Sequence, residues 1–144
     1  MRDERGQGGI EAVVLGVLVF VAGVLVVANA WGVLDAKLAA SSAAREAARA
    51  YVEASSETEA ERAARAAALE AMKGHGRSAA RTTIVLVAGS FARCERVTFE
   101  VRYPVPMLTV PFLGAAGTGF VAKARHSEVV DPYRSGIPGT AHCA

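Results

Sequence analysis

An uninterrupted apolar run near the N-terminus is the strongest constraint on what this chain can fold into. Residues 12–28 read AVVLGVLVFVAGVLVVA without a polar side chain, and after Asn29 the run continues to Leu34. These 23 residues between Glu11 and Asp35 would reach about 34 Å as an α-helix, enough to cross a hydrocarbon core of about 30 Å. Within such a core only a helix satisfies its own backbone groups. A buried core helix is the rival interpretation, but a small domain cannot cover a segment that is apolar on every side.

Length, charge and cysteine content exclude several classes of protein. A chain of 144 residues holds one domain, or a small domain and an anchor, and not a multidomain enzyme. The net charge of +2 gives no reason to expect a nucleic-acid partner. Two cysteines exclude a four-cysteine zinc site but allow one bridge, so Cys94 and Cys143 are expected to pair, with free thiols or an intermolecular link as the alternatives.

The residues that could perform chemistry show no recognisable arrangement. His75, His126 and His142 lack the spacing of metal ligands, and no hydrolase, protease or phosphate-loop motif occurs. The sequence therefore predicts a protein that is not an enzyme and that holds no metal and no cofactor.

The apolar run has three possible fates. As a secretory signal, Arg2 and Arg5 would form its basic region and Ala28-Asn29-Ala30 its cleavage site, although the apolar core is longer than usual. As an uncut anchor it would hold a plain membrane-bound head. The third fate is indicated by Glu11, because a carboxylate at the edge of lipid is costly and the uncut anchor does not explain it.

Residues 5–20, RGQGGIEAVVLGVLVF, resemble the leader junction of type IV pilins. Together with AKLAASSAAREAARAYV at 36–52 and VRYPVPML at 101–108, they make the chain similar to the TadE-like family, minor pilins or pseudopilins of the Tad (Flp) pilus systems of bacteria and some archaea. Gln7 departs from the bulky apolar residue that many classical type IV pilins carry there, which favours the TadE-like comparison.

The resemblance implies a specific fate and specific partners. A prepilin peptidase would cut between Gly6 and Gln7, leaving Glu11 as the fifth residue of the mature chain. The helix would pass from membrane lipid into a filament with other pilin or pseudopilin subunits and a pilus assembly platform, and Glu11 would set the register of each subunit by meeting a neighbour's α-amine. Gly16 and Gly23, seven residues apart, would let neighbouring helices approach closely, although the ordinary glycine content of membrane helices is the favoured explanation for them.

The rest of the chain predicts a small head of the α+β class. Helix is expected to continue through 35–54 along a stripe of Leu34, Leu38, Ala44, Ala48 and Val52, unless it breaks near Asp35. A capping box at Ser56 and Glu59 begins a second helix over 57–73, supported by a Glu61–Arg65 pair. Three antiparallel strands follow at 82–87, 96–103 and 120–130, with Pro104 ending the second. In the second strand an apolar face of Val97, Phe99, Val101 and Tyr103 alternates with a polar face of Arg96, Thr98, Glu100 and Arg102.

These predictions divide the chain into four parts. Residues 1–6 are the leader, 7–34 the transmembrane helix, 35–54 its continuation and 55–144 an extracytoplasmic head. We expect a single pass through the cytoplasmic membrane, with the N-terminus in the cytoplasm, or association with a pilus. Within the apolar connection at 107–119, the stretch MLTVPFLG at 107–114 is a candidate docking surface, with a cap on the sheet core as the favoured alternative.

Overall fold

A single long helix forms the N-terminal part of the chain. The computed structural model describes residues 7–105 and 119–143, with side chains from residue 11 onward. Helix α1 runs from Gln7 to Glu53. It passes Asp35 without interruption, so the alternative of a break there is wrong. The alanine-rich stretch after Val33 contains neither glycine nor proline, and alanine is the strongest helix former.

A second helix, α2, spans Glu57–Gly74 and folds back along α1. It begins as predicted: the Ser56 hydroxyl accepts a hydrogen bond from the backbone N–H of Glu59 at 3.3 Å, which satisfies one donor of the first turn. On its exposed surface, however, Arg62 pairs with Glu59 at 2.8 Å. The predicted Glu61–Arg65 pair is not among the ion pairs of the described residues.

Three antiparallel strands, in the order β1–β2–β3, complete the head. After a short 3-10 helix at Ala79–Arg81, they are β1 at Thr83–Ala88, β2 at Arg96–Val105 and β3 at Phe120–Val129. The prediction that Pro104 ends β2 is wrong, because the strand continues to Val105. Pairing with β1 starts at Arg102, so Pro104 lies where β2 has no β1 neighbour, the edge position that tolerates proline.

The core lies between α1 and its two neighbours, α2 and the sheet. Tyr51 is 1% exposed, and its ring meets the rings of Phe91 and Phe99 edge-on, with centroids 5.6 and 5.3 Å apart. Alternate residues of β2 point into this core. The spacing predicted this for Val97, Phe99, Val101 and Tyr103, and the structure adds Val105.

Small side chains form the contact between the helices. The buried face of α1 consists of Ala36, Ala39, Ala40, Ala43, Ala44, Ala47, Ala48 and Tyr51, and that of α2 of Ala60, Ala64, Ala68 and Met72. The predicted stripe is therefore only partly right, because Leu34 and Leu38 are exposed. Alanine on both helices lets their backbones approach closely. This favours packing of α1 through its alanine face and not through the face that carries Leu34 and Leu38.

Candidate assembly surface

The first half of α1 makes almost no contact with the rest of the molecule. From Glu11 to Gly23 every side chain is exposed, and Phe20 and Trp31 are 71% and 72% exposed. By its length and composition, α1 is long and apolar enough to cross a membrane. Large apolar side chains exposed over so many turns require a partner that is itself apolar, either lipid or other helices.

The described part of this helix begins at the predicted processing site. Gly6 falls outside the described residues, and Gln7 is the first residue of α1. Glu11 lies one turn further and is exposed. Within the described part of the chain, no basic group forms an ion pair with Glu11.

The two glycines proposed as packing notches are open in the monomer. A methyl group added at Gly16 or at Gly23 would meet nothing within 4 Å. These positions therefore serve no packing role inside the described fold, and only another chain or lipid can use them. Asn29, higher on the helix, donates from Nδ2 to the carbonyl oxygen of Leu25 at 3.0 Å.

The two cysteines form the predicted disulfide. Cys94 precedes β2, and Cys143 lies near the end of the tail that follows β3. Two backbone hydrogen bonds flank the bridge: Arg93 N–H donates to the Pro138 carbonyl at 2.8 Å, and Cys94 N–H donates to the Val130 carbonyl at 3.0 Å. The irregular tail is thus pinned to the loop before β2.

Arg134 in this tail caps α1, a contact that the sequence did not reveal. Its guanidinium donates to the backbone carbonyls of Val52 and, at 2.6 Å, of Glu53. These carbonyls belong to the last turn of α1, where helices carry unsatisfied acceptors and partial negative charge. The nearby Ile137 is buried. Helix end and tail therefore stabilise each other.

A buried carboxylate on the outer face of the sheet is a second feature that the sequence did not reveal. Glu100 in β2 is only 2% exposed. Arg102, two residues along the strand, and Arg125, its partner in β3, both donate to it. These hydrogen bonds lower the pKa of Glu100, and burial opposes them. The alternation placed Glu100 and Arg102 on one face, but only the β2–β3 register brings in Arg125.

At the base of the head, where α1 leaves it, lies an apolar groove of about 780 Å³. One wall is the last part of the apolar run, from Val26 to Leu34, and the other is formed by Val105 and Phe120. At its rim Arg77 pairs with Asp35, and the guanidinium of Arg77 lies 5.6 Å from the centre of the Tyr103 ring. The stretch at 107–114, the candidate docking surface, falls outside the described residues.

No group of three metal-ligating side chains converges within the described residues. The expectations that the chain is not an enzyme and takes no cofactor remain predictions.

No protein-family model, curated protein or solved structure matches this chain. Its elements are nevertheless distinctive: a long apolar N-terminal helix, a second helix packed on it, a small antiparallel sheet and a C-terminal disulfide. This architecture is pilin-like. The narrower assignment to the TadE-like family rests on the sequence resemblance alone.

Proposed function

We propose that the chain is a TadE-like minor pilin or pseudopilin, a structural subunit and not an enzyme. A prepilin peptidase cuts it between Gly6 and Gln7 on the cytoplasmic side of the membrane. The mature subunit keeps α1 as its anchor, with the head outside the cytoplasm. It then enters a Tad (Flp) type pilus, or the base of one, beside other pilin subunits on the assembly platform.

The observation that carries this proposal is the division of α1 into two continuous halves with opposite surroundings. The half before Val33 is apolar and largely exposed on every side, whereas the half from Ala36 onward buries one face, made of alanines and Tyr51, in the head. One rigid rod thus joins the head to a segment that needs an apolar partner. Such a rod transmits a fixed position from packed helices to the head, which suits a filament subunit better than a loosely tethered domain.

Glu11 has a definite role in this mechanism. A carboxylate beside an apolar run is expensive to bury unless a positive group meets it. The α-amine that cutting creates at Gln7 of a neighbouring subunit would supply that group. Each subunit would therefore be held at one axial position relative to its neighbour.

The test is a Glu11→Ala variant expressed with the peptidase and the pilus machinery of its own cells. We expect normal cutting, seen as the mass loss of the leader, but strongly reduced recovery in sheared filaments. Glu70→Ala, which removes an exposed carboxylate of the head, is the matched control and should assemble normally. Incorporation of Glu11→Ala at the level of the native chain would refute the register role.

A secreted binding protein, released by cutting after Ala30, is the second candidate. The observation that favours it is that the fully buried residues of α1 begin at Ala36, so a chain starting at Trp31 keeps its core. Such a product would be found in the culture medium without the apolar run, whereas the pilin product retains it.

A further inference from the structure

We propose that the membrane-proximal end of the head is a docking surface for an anionic phospholipid. Its acyl chain lies along the apolar groove between α1 and the ends of β2 and β3, and its phosphate lies at the basic rim of that groove. This inference rests on the insertion of α1 into a membrane and does not depend on pilus assembly.

The position of the groove on α1 places it at the membrane surface. A hydrocarbon core of about 30 Å takes up about 20 helical residues, so a core that begins after Glu11 ends close to Trp31. Tryptophan is enriched at this boundary. The wall from Val26 to Leu34 therefore straddles the boundary, and the facing Val105 and Phe120 lie at the same level. Phe120 is exposed, so the groove is open to lipid on this side.

Basic side chains concentrate at this end of the head. The charged residues here lie at the start of the head segment of α1, the end of α2, the start of β1 and the facing ends of β2 and β3. Arg77 pairs with Asp35, and Arg102 pairs with Glu100. The basic side chains that form no ion pair with a described residue are Lys37, Lys73, Arg81 and Lys123, against the carboxylate of Glu70. Residues 106–118, outside the described ranges, carry no charged side chain in the sequence and leave this balance unchanged.

The opposite end of the head carries more carboxylates. There Arg49 pairs with Glu46 and Glu53, and Arg62 pairs with Glu59. At the membrane-proximal end Arg81 and Lys73 are exposed and form no ion pair with a described residue, while the Arg81 guanidinium lies 5.3 Å from the centre of the Tyr103 ring. Cations at a membrane surface that are not neutralised within the protein attract anionic lipid.

The chain contains its own reporter of the lipid at this level. Trp31 is the single tryptophan, and it lies between Ala30 and Gly32, which line the groove. We would reconstitute the full chain in phosphatidylcholine vesicles that hold a minor fraction of brominated phosphatidylglycerol or, separately, of brominated phosphatidylcholine. Bromine quenches tryptophan on contact, so the ratio of the two quenching efficiencies measures which lipid is enriched beside Trp31.

We expect brominated phosphatidylglycerol to quench more strongly. The relative association constant for the anionic lipid should fall by about fivefold for each basic side chain removed at the surface. It should therefore fall by about 25-fold in the double variant Lys73→Gln/Arg81→Gln. The charge-matched double variant Arg49→Gln/Arg62→Gln, at the opposite end, should keep the preference of the native chain. Near-ultraviolet circular dichroism of the buried tyrosines checks that both variants are folded.

Several outcomes would overturn the proposal. Equal quenching by the two lipids in the native chain would show that there is no preference for anionic lipid. An unchanged preference in Lys73→Gln/Arg81→Gln would show that these two side chains do not cause it. Absence of quenching by either lipid shows that α1 is not inserted. Quenching that increases as the protein is diluted in the bilayer shows that a second copy of the chain, and not lipid, covers the groove.

Discussion

Removal of the Cys94–Cys143 bridge should destabilise the head by an amount that follows from the loop it closes. The two cysteines are 49 residues apart. For a loop of this size, the loss of chain entropy in the unfolded state corresponds to about 4 kcal/mol of stability. The folded contacts of the tail, including the Arg134 cap on α1 and the buried Ile137, remain available without the bridge. We therefore expect a head that still folds but is less stable.

The assay is urea unfolding of the full chain in detergent micelles, followed by the near-ultraviolet circular dichroism of tyrosine. Tyr51 and Tyr103 are buried in the head, so this signal reports the head and not the membrane helix. The perturbation is the double variant Cys94→Ser/Cys143→Ser. With an m value of about 2 kcal/mol per molar urea, a loss of about 4 kcal/mol lowers the midpoint by about 2 M.

The native chain under reducing conditions is the matched control, and it should unfold at the midpoint of the double variant. A loss below about 1 kcal/mol, well under the usual range for a disulfide, would refute the reasoning. It would mean that the tail is held by its own contacts, or that the unfolded chain is already restricted in this region.

Three further changes test the packing and the buried charge. Ala64→Leu should destabilise the head by about 1–3 kcal/mol through overpacking against α1, while Ala66→Leu on the exposed side of α2 should change stability by less than about 0.5 kcal/mol; equal effects in urea unfolding would contradict the alanine interface. Tyr51→Ala should cost about 3–5 kcal/mol and Tyr51→Phe much less, and a mild Tyr51→Ala would refute its central place in the core. The pKa of Glu100 is lowered in the folded state, so the ionised carboxylate stabilises the fold fully at pH values above its ordinary pKa of about 4.3. This stabilisation of the fold is lost as the pH falls from there through the lowered pKa. Glu100→Gln should flatten that part of the stability–pH curve, and an unchanged curve would contradict the ion-pair account.

The elements of the fold could be predicted from local patterns because each has its own signature. The apolar run, the Ser56 cap and the alternation in β2 depend on neighbouring residues alone, and the structure confirms all three. The position of Pro104 within β2 could not be predicted this way, because its tolerance depends on where β1 stops pairing. Patterns among neighbouring residues do not specify the register in which β1 and β2 pair.

The features that could not be predicted from the sequence depend on contacts between segments that are distant along the chain. Leu34 and Leu38 were predicted to join the packing stripe because they are apolar, whereas the structure selects alanines that allow close approach. The Arg134 cap joins residues 81 and 82 positions apart, and the Glu100–Arg125 pair needs the β2–β3 register. The cysteine pairing could be predicted because two cysteines allow one intramolecular bridge.

The mature N-terminus tests the central claim most directly. Intact mass and N-terminal sequencing of the protein from its native membrane fraction, in cells with an active prepilin peptidase, would locate it. A chain that begins at Gln7 and keeps the whole of α1 is the result the pilin account predicts. A chain that begins at Trp31 would identify a secreted protein, and one that still begins at Met1 would leave a membrane-anchored head; either would contradict the account.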